Sequence, residues 1–320
     1  MDVAEYRRQY EAELAQAERD VVRFRDLLES SRPDHREALR AMTEEDDLAA
    51  AVATLRDSGA DTTLRSAALQ LISTDIDSRP ELIDPLLELL GDGTVRSDVR
   101  IAVLDLLREI SFRVVLFPAL RPNYLATLRS IIEDPDAQLR RRAIGILARE
   151  KDEYIQRRLI DGLERRSAPL VPAAKAIQFL GYDVHAEYFP LLRRIVEHPP
   201  SQAAKKEALR LLAADPDATD LLVSILQHRG ERPDIRKLSA IALQSVAPGE
   251  FAEQARRIVL DDEEDEQLRT LCVTALTYFG SPAAMDEDSE LAGRIERLRS
   301  ESTSREMRQV ATNYLARRGR

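Results

Sequence analysis

Hydrophobic positions along the chain recur in a nine-residue pattern: apolar, basic, two free positions, small, apolar, two free positions, then Leu or Ile. It opens at Leu64, where Arg65, Ala68, Leu69 and Ile72 fill the fixed positions. It opens again at Val99, Leu139, Pro172, Ala204, Ile235, Leu268 and Met307, at spacings of 35, 40, 33, 32, 31, 33 and 39 residues, which makes eight units. Apolar residues at the first, fifth, sixth and ninth positions share one face of a helix. A second apolar-periodic run precedes each pattern, over 48–55, 82–90, 124–132, 154–163, 188–196, 221–226, 251–260 and 291–298. Turn residues such as Asp134-Pro135-Asp136 separate the two runs. Two helices per unit, repeated at this period, predict a stack of helical hairpins without strands.

The second position of the pattern is Arg65, Arg100, Arg140, Lys205, Arg236, Arg269 and Arg308, with Ala173 as the exception. On a helix of about 100° per residue, Arg140 falls inside the apolar arc of Leu139, Ala143, Ile146 and Leu147. A cation there does not reach a ligand on the opposite face. It is expected to lay its stem between hairpins and pair with a turn carboxylate such as Asp136, so the whole series reads as a structural ladder.

The segment Asp136-Ala137-Gln138-Leu139-Arg140-Arg141-Arg142-Ala143-Ile144 resembles the signature of the HEAT-repeat (armadillo-like) family, and the likeness extends over about residues 45–320. The resemblance implies an all-α fold: a right-handed superhelical α-solenoid of about eight HEAT-like hairpins, with second helices lining a concave surface. It is almost silent on function, because the family spans scaffolds, transport receptors, phosphatase subunits and a few enzymes. Pro172 with Ala173, and the long spacing around residues 117–122, depart from the pattern.

Residues 1–31 lie outside the array of 38–320 and read as one long amphipathic helix, stopped by Ser30-Ser31-Arg32-Pro33. Tyr10, Leu14, Ala17, Val21, Phe24 and Leu28 form a heptad seam. Two roles fit this seam: a cap over the exposed face of the first repeat, or a helix for self-association.

Composition narrows the chemistry. The single cysteine, Cys272, removes disulfide frameworks and zinc sites built on paired cysteines, and fits a reducing compartment. Its place at the small position of its unit marks it as a buried small hydrophobe. A polar N-terminus and the lack of a long apolar run point to a cytoplasmic protein with no membrane partner. No phosphate-binding glycine loop, H-E-x-x-H or G-x-S-x-G motif occurs. His35, His185, His198 and His228 fall near turns without metal-ligand spacing, and no metal or cofactor is expected. Acid clusters occur at Glu44–Asp47, Asp261–Glu266 and Asp286–Asp288; the six consecutive acids Asp261–Glu266 lack the glycine turn and alternation of a calcium loop and load a helix N-terminus.

Net charge is −10, yet residues 134–210 carry 15 basic against 11 acidic residues, so the middle of the array is locally basic. Helical register places Arg141, Arg142 and Arg149 away from the apolar arc, and carries Lys175, Gln178, Tyr182, Lys206, Arg210 and Lys237 onto the same row. This row predicts a basic ridge suited to a protein partner with an acidic segment, and the chain reads as a non-catalytic scaffold or adaptor. Two alternatives stand beside it: a nucleic-acid-binding or base-repair protein using the same groove, and a modification-enzyme subunit of unrecognised type. The absence of Trp argues against base stacking and makes a nucleic-acid partner the weaker reading.

Overall fold

The computed structural model describes residues 44–76, 79–111, 117–280 and 287–318, with positions 19, 22, 23 and 26. The helix expected over residues 1–31, with its heptad seam, lies outside the described residues apart from those four positions. His35 also lies outside them.

The fold is all-α. Among the described residues there are 16 α-helices and no strand. The first helices of the eight pairs are α1 (Glu44–Arg56), α3 (Ile83–Gly91), α5 (Phe117–Ser130), α7 (Glu153–Leu163), α9 (Phe189–Glu197), α11 (Thr219–Gln227), α13 (Pro248–Leu260) and α15 (Ser289–Glu301). The second helices are α2 (Thr62–Asp75), α4 (Ser97–Ile110), α6 (Ala137–Arg149), α8 (Ala173–Leu180), α10 (Gln202–Leu211), α12 (Pro233–Val246), α14 (Glu266–Phe279) and α16 (Arg305–Arg317).

The chain divides into two compact units, residues 1–155 and 156–320, and the boundary falls in the first turn of α7. In the first unit α1 packs on α2, α3 on α4 and α5 on α6. The first helices α1, α3 and α5 lie side by side, as do the second helices α2, α4 and α6. In the second unit the hairpins are α9–α10, α11–α12, α13–α14 and α15–α16, and α8, α10, α12, α14 and α16 form a continuous row of neighbours. Each unit is thus built of two helical layers with the core between them.

The repeated pattern explains that core. The opening residues Leu64, Val99, Leu139, Ala204, Ile235, Leu268 and Met307 are all buried. So are the small-position residues Ala68, Val103, Ala143, Ala176, Ala208, Ser239, Cys272 and Ala311. Ser239 is tolerated there because its hydroxyl donates to the Leu222 carbonyl at 2.6 Å, leaving no unpaired polar atom. Pro172 is exposed and serves as the N-cap of α8, whose eight residues make it the shortest α-helix described.

Second helices start where a short side chain caps them. Asp61, Asp136, Ser201, Asp265 and Ser304 each accept from the backbone N–H of the opening residue three positions later, which satisfies one of the free amides of the first turn. Asp136 is therefore committed to the cap of α6 and is not the partner of Arg140. Arg140 donates instead to the Asp134 carbonyl, and the Asp134 carboxylate is taken by Arg100 at 2.6 Å.

Two rungs of the ladder share one geometry. Arg100 Nε donates to the Leu90 carbonyl at the end of α3, and Arg236 Nε to the Leu226 carbonyl at the end of α11. Each guanidinium thus occupies the negative end of the first helix of its own hairpin. Each of four ladder cations also meets an acid of the following hairpin: Asp98 at the start of α4 for Arg65, and the turn acids Asp134 for Arg100, Glu231 for Lys205 and Glu264 for Arg236. Arg308, in the last hairpin, is exposed and donates to the Ser302 and Thr303 carbonyls.

Candidate protein-binding face

In each unit, the side of the second helices that faces away from the core carries residues placed on the basic row. In the first unit Arg141 and Arg149 are exposed, while Arg142 Nη1 donates to both carboxylate oxygens of Asp105 on α4, at 2.6 and 2.5 Å. In the second unit Lys206 pairs with Asp234 at 2.5 Å, and Arg210 with Glu207 of its own helix at 2.5 Å. Hydrogen bonds from Lys206 and then from Arg232 hold the Asp234 carboxyl down to about 2, so it remains ionised in any neutral buffer. Three cations of the row are therefore cancelled by carboxylates that the same layer supplies.

Lys175 and Lys237 of the row, and Arg317 on α16, meet neutral partners. Lys175 donates to Gln178 Oε1 at 2.7 Å and lies 4.7 Å from the centre of the Phe179 ring. Lys237 donates to Gln267 Oε1 across the α12–α14 contact, and Arg317 to the Tyr278 carbonyl at 3.3 Å. Gln178 is exposed, and Tyr182, just beyond α8, is 47% exposed.

Two apolar side chains stand out on this layer of the second unit. Ile241 on α12 is 47% exposed and Tyr278 on α14 is 59% exposed. Phe279, the last residue of α14, is more exposed still. Ile241 occupies the register position of Arg210, and Tyr278 that of Tyr182, so periodicity alone places both outward. The basic row leaves Ile241 out because it follows charge rather than exposure.

No family model matches the chain. No curated protein matches it either.

The acid run at Asp261–Glu266 is consumed by structure. Arg229 pairs with Asp261 and Glu263, Arg294 with Asp262, and Arg236 holds Glu264 by two parallel bonds of 2.7 and 2.6 Å. Asp265 caps α14, and Glu266 accepts from the Ser302 hydroxyl. This one turn accepts bonds from the hairpin before it and the hairpin after it, which leaves its charge tied internally.

The cysteine and the described histidines stand in separate surroundings. Cys272 is buried, and burial pushes its thiol up to about 12, which keeps it protonated and unreactive at neutral pH. His185 bonds Asp183 at 3.0 Å and meets the Tyr188 ring edge-on, while Tyr188 donates to Gln156 at 3.0 Å. His198 and His228 are exposed at the C-terminal ends of α9 and α11. Among the described residues no three His, Cys, Asp or Glu side chains converge as a metal ion requires. None of the described helices is long and apolar enough to cross a membrane.

Proposed function

We propose that this chain is a HEAT-like α-solenoid that works without catalysis of its own, by binding another protein along the exposed face of its second helices. The paired helices, with second helix beside second helix inside each unit, support the solenoid reading. The observation that carries the binding reading is the exposure of Tyr182, Ile241 and Tyr278 on one helical layer of the second unit. Large apolar side chains left uncovered within one layer mark interaction surfaces, and tyrosine is enriched among the residues that dominate binding energy.

The nucleic-acid reading draws on the same cations, and the geometry weighs against it. Phosphate binding scales with the number of uncompensated cations, and Arg142, Lys206 and Arg210 already hold carboxylates.

A photo-crosslinking side chain placed at Tyr182 or Tyr278, in the cell that makes the protein, tests the assignment. Discrete protein adducts are expected from both positions and none from Asp220, which is exposed on the first helix α11. Adducts that disappear on nuclease treatment support the nucleic-acid reading instead. Equal adducts from all three positions, or none from Tyr182 and Tyr278, refute the proposed face.

A further inference from the structure

Resting on the protein-binding reading above, we propose that the α12–α14–α16 face of the second unit takes an acidic segment of a partner protein, one whose apolar side chains seat on Ile241 and Tyr278. On α12, Lys237, Leu238 and Ile241 fall within little more than one turn; on α14, Leu271 holds the register of Leu238, and Tyr278 lies four residues past the register of Ile241. Leu238 and Leu271 are partly exposed, so Ile241 and Tyr278 stand among further apolar side chains of the same layer rather than as isolated residues.

Charge decides the occupant. On the same face stand Lys237 and Arg317, and both donate to neutral acceptors, the Gln267 amide and the Tyr278 carbonyl. Neither acceptor cancels the cation, in contrast to Arg142, Lys206 and Arg210 elsewhere on the second helices, each held by a carboxylate. An arriving carboxylate therefore adds an ion pair at Lys237 or Arg317 without having to displace one. A basic segment would meet two uncompensated like charges. An uncharged apolar segment would leave both cations beside a desolvated surface. Apolar anchors flanked by Asp or Glu complement the patch in both respects.

A random 16-residue peptide library displayed on phage, selected against the immobilised full-length protein, tests this. Two double variants serve as counter-targets: Ile241→Ser with Tyr278→Ser, and Lys237→Glu with Arg317→Glu. The expected result is enrichment of peptides with two or more large apolar residues and an excess of Asp and Glu. Binding of the synthesised consensus peptide should fall at least about tenfold in each double variant, as loss of central anchors or of their charge partners does. Circular dichroism confirms that each variant keeps its helices; because the two pairs differ in chemistry, either one alone tests the patch. A consensus that is basic or uncharged overturns the proposal, as does an acidic consensus whose affinity both variants leave intact. In the latter case the crosslinks from Tyr182 still decide whether the second-helix face binds protein, so the two readings fail separately. No enrichment at all overturns this patch as a peptide-binding site.

Discussion

Glu264 is the residue on which the inter-hairpin ladder is most exposed to test. Its carboxylate and the Arg236 guanidinium are buried together, at 6% and 5% side-chain exposure, and joined by two bonds. Replacing Glu264 with Ala leaves a buried arginine holding only the Leu226 carbonyl, and removing one partner of a buried pair destabilises by about 3–5 kcal/mol. Replacing both, as Arg236→Met with Glu264→Leu, removes the uncompensated charge, and the expected loss shrinks to about 1 kcal/mol, mainly for the orphaned Leu226 carbonyl. Glu88→Ala, which breaks an exposed pair with Arg56, is the control and should lose less than about 1 kcal/mol. Urea unfolding followed by far-ultraviolet circular dichroism reads all four proteins, using the midpoint of whichever transition the substitution moves, since repeat arrays need not unfold in one step. The pH dependence adds a second check. Burial alone pushes the Glu264 carboxyl up, but the hydrogen bonds from Arg236 and from the Asp265 N–H outweigh it, so the group lies below the ordinary 4.5. A carboxyl lowered on folding stabilises above its unfolded pKa and loses that contribution as pH falls. The gap between wild type and Glu264→Gln should therefore be full above about pH 4.5 and close below it. A Glu264→Ala shift no larger than that of Glu88→Ala, or a double variant as unstable as the single one, refutes the ladder as a buried electrostatic joint.

Arg165 has a positive φ of 62° at the end of α7 without being glycine, so Arg165→Gly should raise the urea midpoint, by up to about 1 kcal/mol of stability. Cys272 should label with maleimide only at the rate at which the protein opens; rapid labelling of the folded chain at pH 7 would contradict its burial. Asp98, Asp136, Asp234 and Asp288 are all held below the ordinary aspartate value by hydrogen bonds, so stability should be level near neutrality and fall as pH drops below about 4. A protein whose urea midpoint is unchanged at pH 3 would refute that assignment.

Much of the architecture is legible in the residues alone. The all-α fold follows from the pattern, and seven of its eight openings, from Leu64 to Met307, lie inside a second helix. The eighth, Pro172, becomes a cap because it lacks the amide hydrogen and its fixed φ suits the start of a helix. Partner choice is less legible. Asp134 and Asp136 are both turn acids two residues apart, and nothing in their order shows that Asp136 is used up by the two backbone amides of α6 while Asp134 turns inward to Arg100. That depends on where the previous hairpin sits, which is tertiary information.

The same distinction governs the candidate face. Residues such as Arg142 and Lys206 make a basic row when read by register, because register shows only which side of its own helix a residue occupies. Whether a charge is available depends on the next helix, and there Asp105 and Asp234 stand within bonding distance. Their pairing moves the unpaired chemistry of the second unit away from α10 and toward α12 and α14, where Ile241 and Tyr278 are exposed and Lys237 meets only an amide. An interface there should draw its affinity from apolar burial and its choice of partner from two cations. Raising salt from about 0.05 M to 0.5 M should then weaken binding without abolishing it, whereas a site made of charge alone would lose nearly all affinity over that range.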